Sequence, residues 1–200
     1  MYGPPRVLLF DVMDTLVKDP FYEEMPAFFG CTLDELLAAK SPTAWVEFEL
    51  GYIDEHEYHR RAFRDGRNYD GAALFQHMYR AYAWLEGAEA LLAELQARGT
   101  TMHAFSNYPV WYRALDEKLG LGDYLSWTFV SCLTGIRKPA PEAYLGAARH
   151  LGLSPAELLF IDDREGNCRA ASELGMATHH FRSVEQLRAY LGRVGVLPGG

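Results

Sequence analysis

Cysteine is scarce and unpatterned. Cys31, Cys132 and Cys168 are odd in number and far apart, which excludes a disulfide framework and a C-x-x-C metal knuckle. The pattern predicts a reducing compartment, the cytoplasm. Basic residues are outnumbered, 19 Lys and Arg against 27 Asp and Glu, and the formal charge is -8 with no basic run. That balance argues against nucleic acid and against an anionic membrane surface as partners. Long apolar runs are missing too: none approaches a membrane span, and the opening MYGPPR carries no apolar signal segment. No internal repeat or low-complexity tract is visible. What remains is a chain 49% hydrophobic, enough for one core or a core with a modest inserted lobe, as a monomer or a homodimer.

The organising stretch is VLLFDVMDTL, residues 7–16. Four apolar residues run into Asp11, as suits a strand buried on both faces of a parallel sheet. Asp11 then falls at the strand's carboxyl end, where open α/β sheets place their ligand crevice. There it is placed to act as a nucleophile or a metal ligand, or simply to cap a turn. From 18 to 84 the sequence reads as four or five short helices. Thr32 with Glu35 and Asp54 with Glu57 form capping boxes, Ser41-Pro42 opens a helix, and Asp70 caps AALFQHMYRAYAW. Gly30, Gly51 and Gly66 punctuate these units.

After Trp84 strands and helices alternate. Strands are predicted at 101–106, 127–132, 158–163 and 177–181, and helices at 86–98, 109–118, 140–151, about 165–174 and from Ser183. Short links between them imply a right-handed, doubly wound parallel sheet. The terminal LPGG is expected to fray. In such a sheet Asp11, Ser106-Asn107, Lys138-Pro139 and Asp162-Asp163 converge on one edge. A carboxylate, a hydroxyl, a cation and an acid pair suit phosphoryl transfer, where positioning and charge neutralisation supply most of the catalysis.

In these motifs the chain resembles the haloacid dehalogenase (HAD) superfamily hydrolases with an α-helical cap inserted after the first motif. Asp11 with Thr15 matches the first motif, FSN (105–107) the second, GIRKPAPEAY (135–144) the third and FIDDREGNCRAASELG (160–175) the fourth. The resemblance implies an α/β Rossmann-like core in 1–17 and 85–200 and a cap in 18–84. It implies an aspartyl-phosphate on Asp11, with Ser106, Asn107 and Lys138 binding phosphate. It also implies Mg²⁺ held by Asp11, the main-chain carbonyl of Met13, Asp162 and Asp163, and a small phosphorylated substrate.

One position departs from that pattern. Phosphatases of the family carry an acid–base aspartate two residues after the nucleophile, and here Met13, which exchanges no protons, stands there. Asp14 is a possible replacement. Members that cleave carbon–halogen or carbon–phosphorus bonds lack that aspartate as well, so a haloacid- or phosphonate-type hydrolase and a weak phosphate-binding module stay open. The acid pair 162–163 favours a metal-dependent hydrolase. A phosphonate-type enzyme needs a cap lysine, and Lys40 is expected to be an exposed helix-end residue. His56 and His59, beside Glu55, are read as a solvated face and His179-His180 as structural. Trp45, Phe48, Tyr52 and Tyr58 are read as lobe core before pocket lining. Arg137 and Arg164 are open between substrate contact and surface pairing, and the lobe is expected to move over the core.

Overall fold

The computed structural model describes residues 4–198. Val7–Phe10 (β1) is buried at every position because it is the middle strand of five. Thr101–Ser106 (β2) and Leu158–Asp162 (β4) flank it, and Ser126–Val130 (β3) and Ala177–His180 (β5) form the edges, in the order β3-β2-β1-β4-β5. All pairs are parallel, and Val7 lies opposite both Thr101 and Leu158. The alternation of a strand divides the apolar residues between two faces. Leu8 and Phe10 join one cluster, and Val7 and Leu9 join the other.

The second cluster is closed by Pro141–Leu151 (α9) and Glu165–Glu173 (α10), through Tyr144, Ala147, Cys168 and Ala171. The first is closed by Ala88–Ala97 (α6), Tyr112–Leu119 (α7) and Val184–Arg193 (α11), and it continues into the helical insertion. Helices on both faces give the doubly wound α/β architecture expected. Among the described residues no helix is long and apolar enough to cross a membrane.

The insertion comprises Glu24–Phe29 (α1), Leu33–Ala39 (α2), Ala44–Glu49 (α3), Glu55–Arg61 (α4) and Gly71–Ala81 (α5). Its start signals act largely as read. Thr32 and Glu35 make both halves of their box, and Asp70 accepts the Ala73 N–H. Asp54 accepts the Glu57 N–H, but Glu57 itself turns to Arg60 at 2.6 Å, so that box is half formed. Ser41 caps from further out: α3 begins at Ala44, and the Ser41 hydroxyl accepts the N–H groups of Thr43 and Ala44.

Several boundaries shift, and the helix expected over 109–118 begins only at Tyr112. β3 stops at Val130, since Ser131 and Cys132 open a helical turn, Ser131–Thr134 (α8). Lys138-Pro139 lies in the loop before α9 rather than opening it. Leu197 of the terminal LPGG is buried rather than frayed, while Gly199 and Gly200 lie outside the described residues.

The insertion is tied to the sheet at several points. Tyr82 and Tyr108 share a hydroxyl hydrogen bond of 2.7 Å, and Trp111 donates to Glu55 at 2.9 Å. The Tyr52 hydroxyl donates to the Gly135 carbonyl at 3.1 Å, and the Ser131 hydroxyl donates to that of Glu49. Gly51 has φ +72°, and a Cβ there would lie 2.7 Å from the Cys132 carbonyl oxygen. That approach requires glycine on both counts.

Candidate active site

β1 delivers Asp11 just beyond its last residue, where the Asp11 N–H still donates to the Ile161 carbonyl at 2.8 Å. The loop before α9 delivers Lys138, whose side chain is 1% exposed. Its ammonium lies 2.8 Å from Asp11 Oδ1 and 2.7 Å from Asp162 Oδ2. Burial alone lowers a lysine's pKa, but the two carboxylates outweigh it and hold Lys138 above its ordinary value. Asn107 fixes the lysine's main chain with both ends of its amide, each at 2.9 Å. That side chain, expected to contact phosphate, lines the cavity and positions Lys138.

The acid pair divides its work. Both Asp162 oxygens are engaged, by Lys138, by Asn167 at 3.0 Å and by the Arg164 N–H at 2.8 Å. Asp163 is half-buried, with its main-chain carbonyl 2.8 Å from His180 Nε2. Asp11, Asp162 and Asp163 bring a carboxylate oxygen each to within 4.8 Å of one another. Burial pushes the Asp11 carboxyl up to about 8, against the pull of Lys138 and with a further push from Asp162 and Asp163. Burial and Asp162 likewise raise Asp163. One lysine thus leaves three converging carboxylates under-compensated, and the turn's hydrogen bonds use the carbonyls of Val12 and Val17 but not that of Met13. An all-oxygen set with surplus negative charge fits a hard divalent cation such as Mg²⁺. Ser106 is buried, and its hydroxyl makes no hydrogen bond among the described residues while lining the cavity.

A cavity of about 220 Å³ opens in front of this edge. Met13 and Asp14 line it, and Asp14 adopts φ +54°, the one positive φ outside glycine among the described residues. That conformation turns one Asp14 oxygen onto the Asp19 N–H at 2.9 Å, so the possible acid–base group is already part of a turn. Asp19 lines the cavity as well, and burial pushes its carboxyl up to about 6. No motif marked Asp19; the Asp19-Pro20 turn was its only signal.

Lys40 is corrected from an exposed residue to a cavity residue. It ends α2, but the Lys40–Phe63 bridge draws its main chain inward, and its ammonium lies 4.1 Å from the Phe21 ring centroid. Burial lowers its pKa to about 8. Trp45 lines the cavity, whereas Phe48 and Tyr58 are core and Tyr52 is 67% exposed. Arg137 and Arg164 both line it, with Arg137 paired to buried Glu49 at 2.5 Å. His56 is exposed, but His59 turns inward to the Tyr69 hydroxyl at 2.8 Å, away from the solvated face expected of it. His179 packs against Tyr190.

A parallel α/β sheet whose middle strand hands a carboxylate to a buried lysine and an acid pair is the architecture of a hydrolase. Residues 5–175 match the haloacid dehalogenase-like hydrolases, and the chain belongs to that family. It is 48% identical over 190 residues to flavin mononucleotide hydrolase 1 of the Arabidopsis thaliana chloroplast, covering 95% of this chain and 78% of that protein. It is 27% identical over 188 residues to phosphoglycolate phosphatase 1 of Pseudomonas aeruginosa, covering 86% and 67%. In fold it is similar to a HAD family enzyme from Bacteroides thetaiotaomicron solved with magnesium and inorganic phosphate, with TM-score 0.71 and 22% identity over 92% of this chain and 98% of that one.

Proposed function

We propose that this hydrolase is a Mg²⁺-dependent phosphatase that cleaves a flavin mononucleotide-like phosphate ester through an aspartyl-phosphate on Asp11. The observation that carries the reading is the buried lysine bridging Asp11 and Asp162 with Asp163 beside them. The flavin mononucleotide hydrolase relative supports the substrate class. The Asp11 carboxylate attacks phosphorus, the P–O bond to the leaving group breaks, and water then cleaves the acyl phosphate, returning Asp11 and phosphate. Lys138 neutralises Asp11 and the phosphate oxygens, and the free Ser106 hydroxyl donates to the transferring group. The cation, held by Asp11, the Met13 carbonyl, Asp163 and, on ligand exchange, Asp162, would add positive charge against the phosphate oxygens. Helices 18–84 serve as a cap over the cavity in this reading.

The test is release of phosphate from flavin mononucleotide with Mg²⁺ and with a chelator. Turnover is expected to need the metal and to vanish in Asp11→Asn with the fold unchanged. Metal-independent turnover, or turnover surviving in Asp11→Asn, would sink the mechanism. A second reading is favoured by the place of Lys40 in the cavity: carbon–phosphorus cleavage through an imine on that lysine. Borohydride trapping of Lys40 with a phosphonoaldehyde would reveal it.

A further inference from the structure

Lys40 is a cation with no anion. Its ammonium sits between two rings, 4.1 Å from the Phe21 centroid and 5.6 Å from that of Trp45. Among the described residues no acceptor takes any of its three protons. The acids that act on it do so through space and are engaged elsewhere: Glu49 is ion-paired with Arg137 at 2.5 Å, and Asp19 accepts the Phe21 N–H at 2.9 Å. A half-buried ammonium beside two ring faces, with no protein acceptor among the described residues, has hydrogen bonds left to give to a ligand. The space in front of it is the cavity.

The cavity is chemically divided. Asp11 and Lys138 meet in one part of its lining with Ser106, Phe21 and Trp45 lie against Lys40, and Met25 and Met78 add further apolar lining. If the phosphate lies against Lys138, as the proposed function has it, the leaving group occupies the aromatic part. Asp19 and Glu49 line the cavity beside Lys40 and Arg137, with Glu49 already paired to Arg137, so the charges there largely offset one another and suit a neutral leaving group. Flat walls favour a flat one. A donor without an acceptor favours one with carbonyl oxygens or ring nitrogens on its edge.

We propose that Lys40 is the specificity-determining donor of a leaving-group subsite that takes a flat, neutral heteroaromatic ring by its acceptor edge, the chemistry of a flavin ring. This rests on the reading of the site as a phosphatase. It gives Lys40 a binding role rather than a covalent one.

The experiment pairs binding with kinetics in the full chain. Riboflavin, the dephosphorylated product, is titrated into wild type, Lys40→Met and Lys40→Gln, followed by flavin fluorescence. Phosphate release is measured from flavin mononucleotide and from phenyl phosphate, whose ring has no acceptor edge. Lys40→Met is expected to weaken riboflavin about tenfold and to lower the ratio of kcat/KM on the flavin ester over the phenyl ester about tenfold, mainly through KM. Lys40→Gln, which keeps donors, should recover part of both, and it carries the test alone if Lys40→Met does not fold. Equal riboflavin affinity in wild type and both variants overturns the subsite, as does an equal loss on both esters or imine trapping at Lys40. Phosphate release from phenyl phosphate without riboflavin binding overturns the subsite and leaves the phosphatase reading standing. Riboflavin binding without phosphate release from any ester does the reverse.

Discussion

Met13 stands where the resemblance to the family's phosphatases leads one to expect an acid–base aspartate, and the neighbouring carboxyls differ in their freedom to serve. Asp14 holds the Asp19 N–H. Asp19 gives one oxygen to the Phe21 N–H and carries a pKa raised to about 6, chiefly by burial. A raised acid is one whose charged form the fold disfavours. Below the ordinary value of 3.8 the carboxyl is protonated in both states and costs nothing; the cost grows as pH rises towards 6 and is complete above it. Two pKa units correspond to about 3 kcal/mol. Asp19→Asn, which keeps an acceptor for Phe21, should therefore raise Tm at pH 8 and leave it nearly unchanged at pH 3.5; no gain at pH 8 would show that the carboxyl is solvated, and an equal gain at both would show an effect unrelated to its charge. Kinetics separate the two aspartates. A positioned acid contributes about 10²–10⁴ in rate, and an alkyl ester needs it more than p-nitrophenyl phosphate does. Asp19→Asn should lower turnover of flavin mononucleotide, an alkyl ester, about a hundredfold more than that of the aryl ester. The same bias in Asp14→Asn, with none in Asp19→Asn, would move the role to Asp14.

The turn joining α3 to α4 reaches the sheet by a close backbone approach. Gly51 and Gly66 have similar positive φ, +72° and +67°, but only at Gly51 would a Cβ meet another backbone, the Cys132 carbonyl at 2.7 Å. An alanine at positive φ costs roughly 1 kcal/mol by itself. Gly66→Ala should cost about that much. Gly51→Ala should cost about 2 kcal/mol or more, because a backbone atom of α8 must also move. Denaturant melts of the two variants check this; equal losses would mean that α8 yields freely. Ser41 and Thr32 show how such elements are read from sequence: a hydroxyl capping nearby N–H groups is a local event, so the signal survives even where the helix starts two residues late.

At the scale of the molecule, the insertion and the sheet share one apolar cluster, from Leu8 and Phe10 of β1 through Met25, Phe48 and Met78 to Leu91 of α6. Eight helices drawing on one core should unfold together with the strands. Tryptophan fluorescence and far-ultraviolet circular dichroism are expected to give coincident transitions, and an early loss of the Trp45 environment would show the insertion melting alone. A lid movement would have to open the Tyr52–Gly135 bond and the Glu49–Arg137 pair first.

The strands, their parallel direction and the convergence of Asp11, Ser106, Lys138 and Asp162-Asp163 were legible because apolar period, caps and short links are local properties of the chain; the order of the strands was not. The partners of individual side chains were not. Nothing near Asn107 in sequence says that its amide clasps Lys138, 31 residues on. Nothing near Lys40 says that Phe21 and Trp45 enclose it, and nothing near Asp19 says that it lines the cavity of Asp11. Those facts depend on which helix faces which loop, and that is settled by burial of the shared core across long separations, after the local signals have been satisfied.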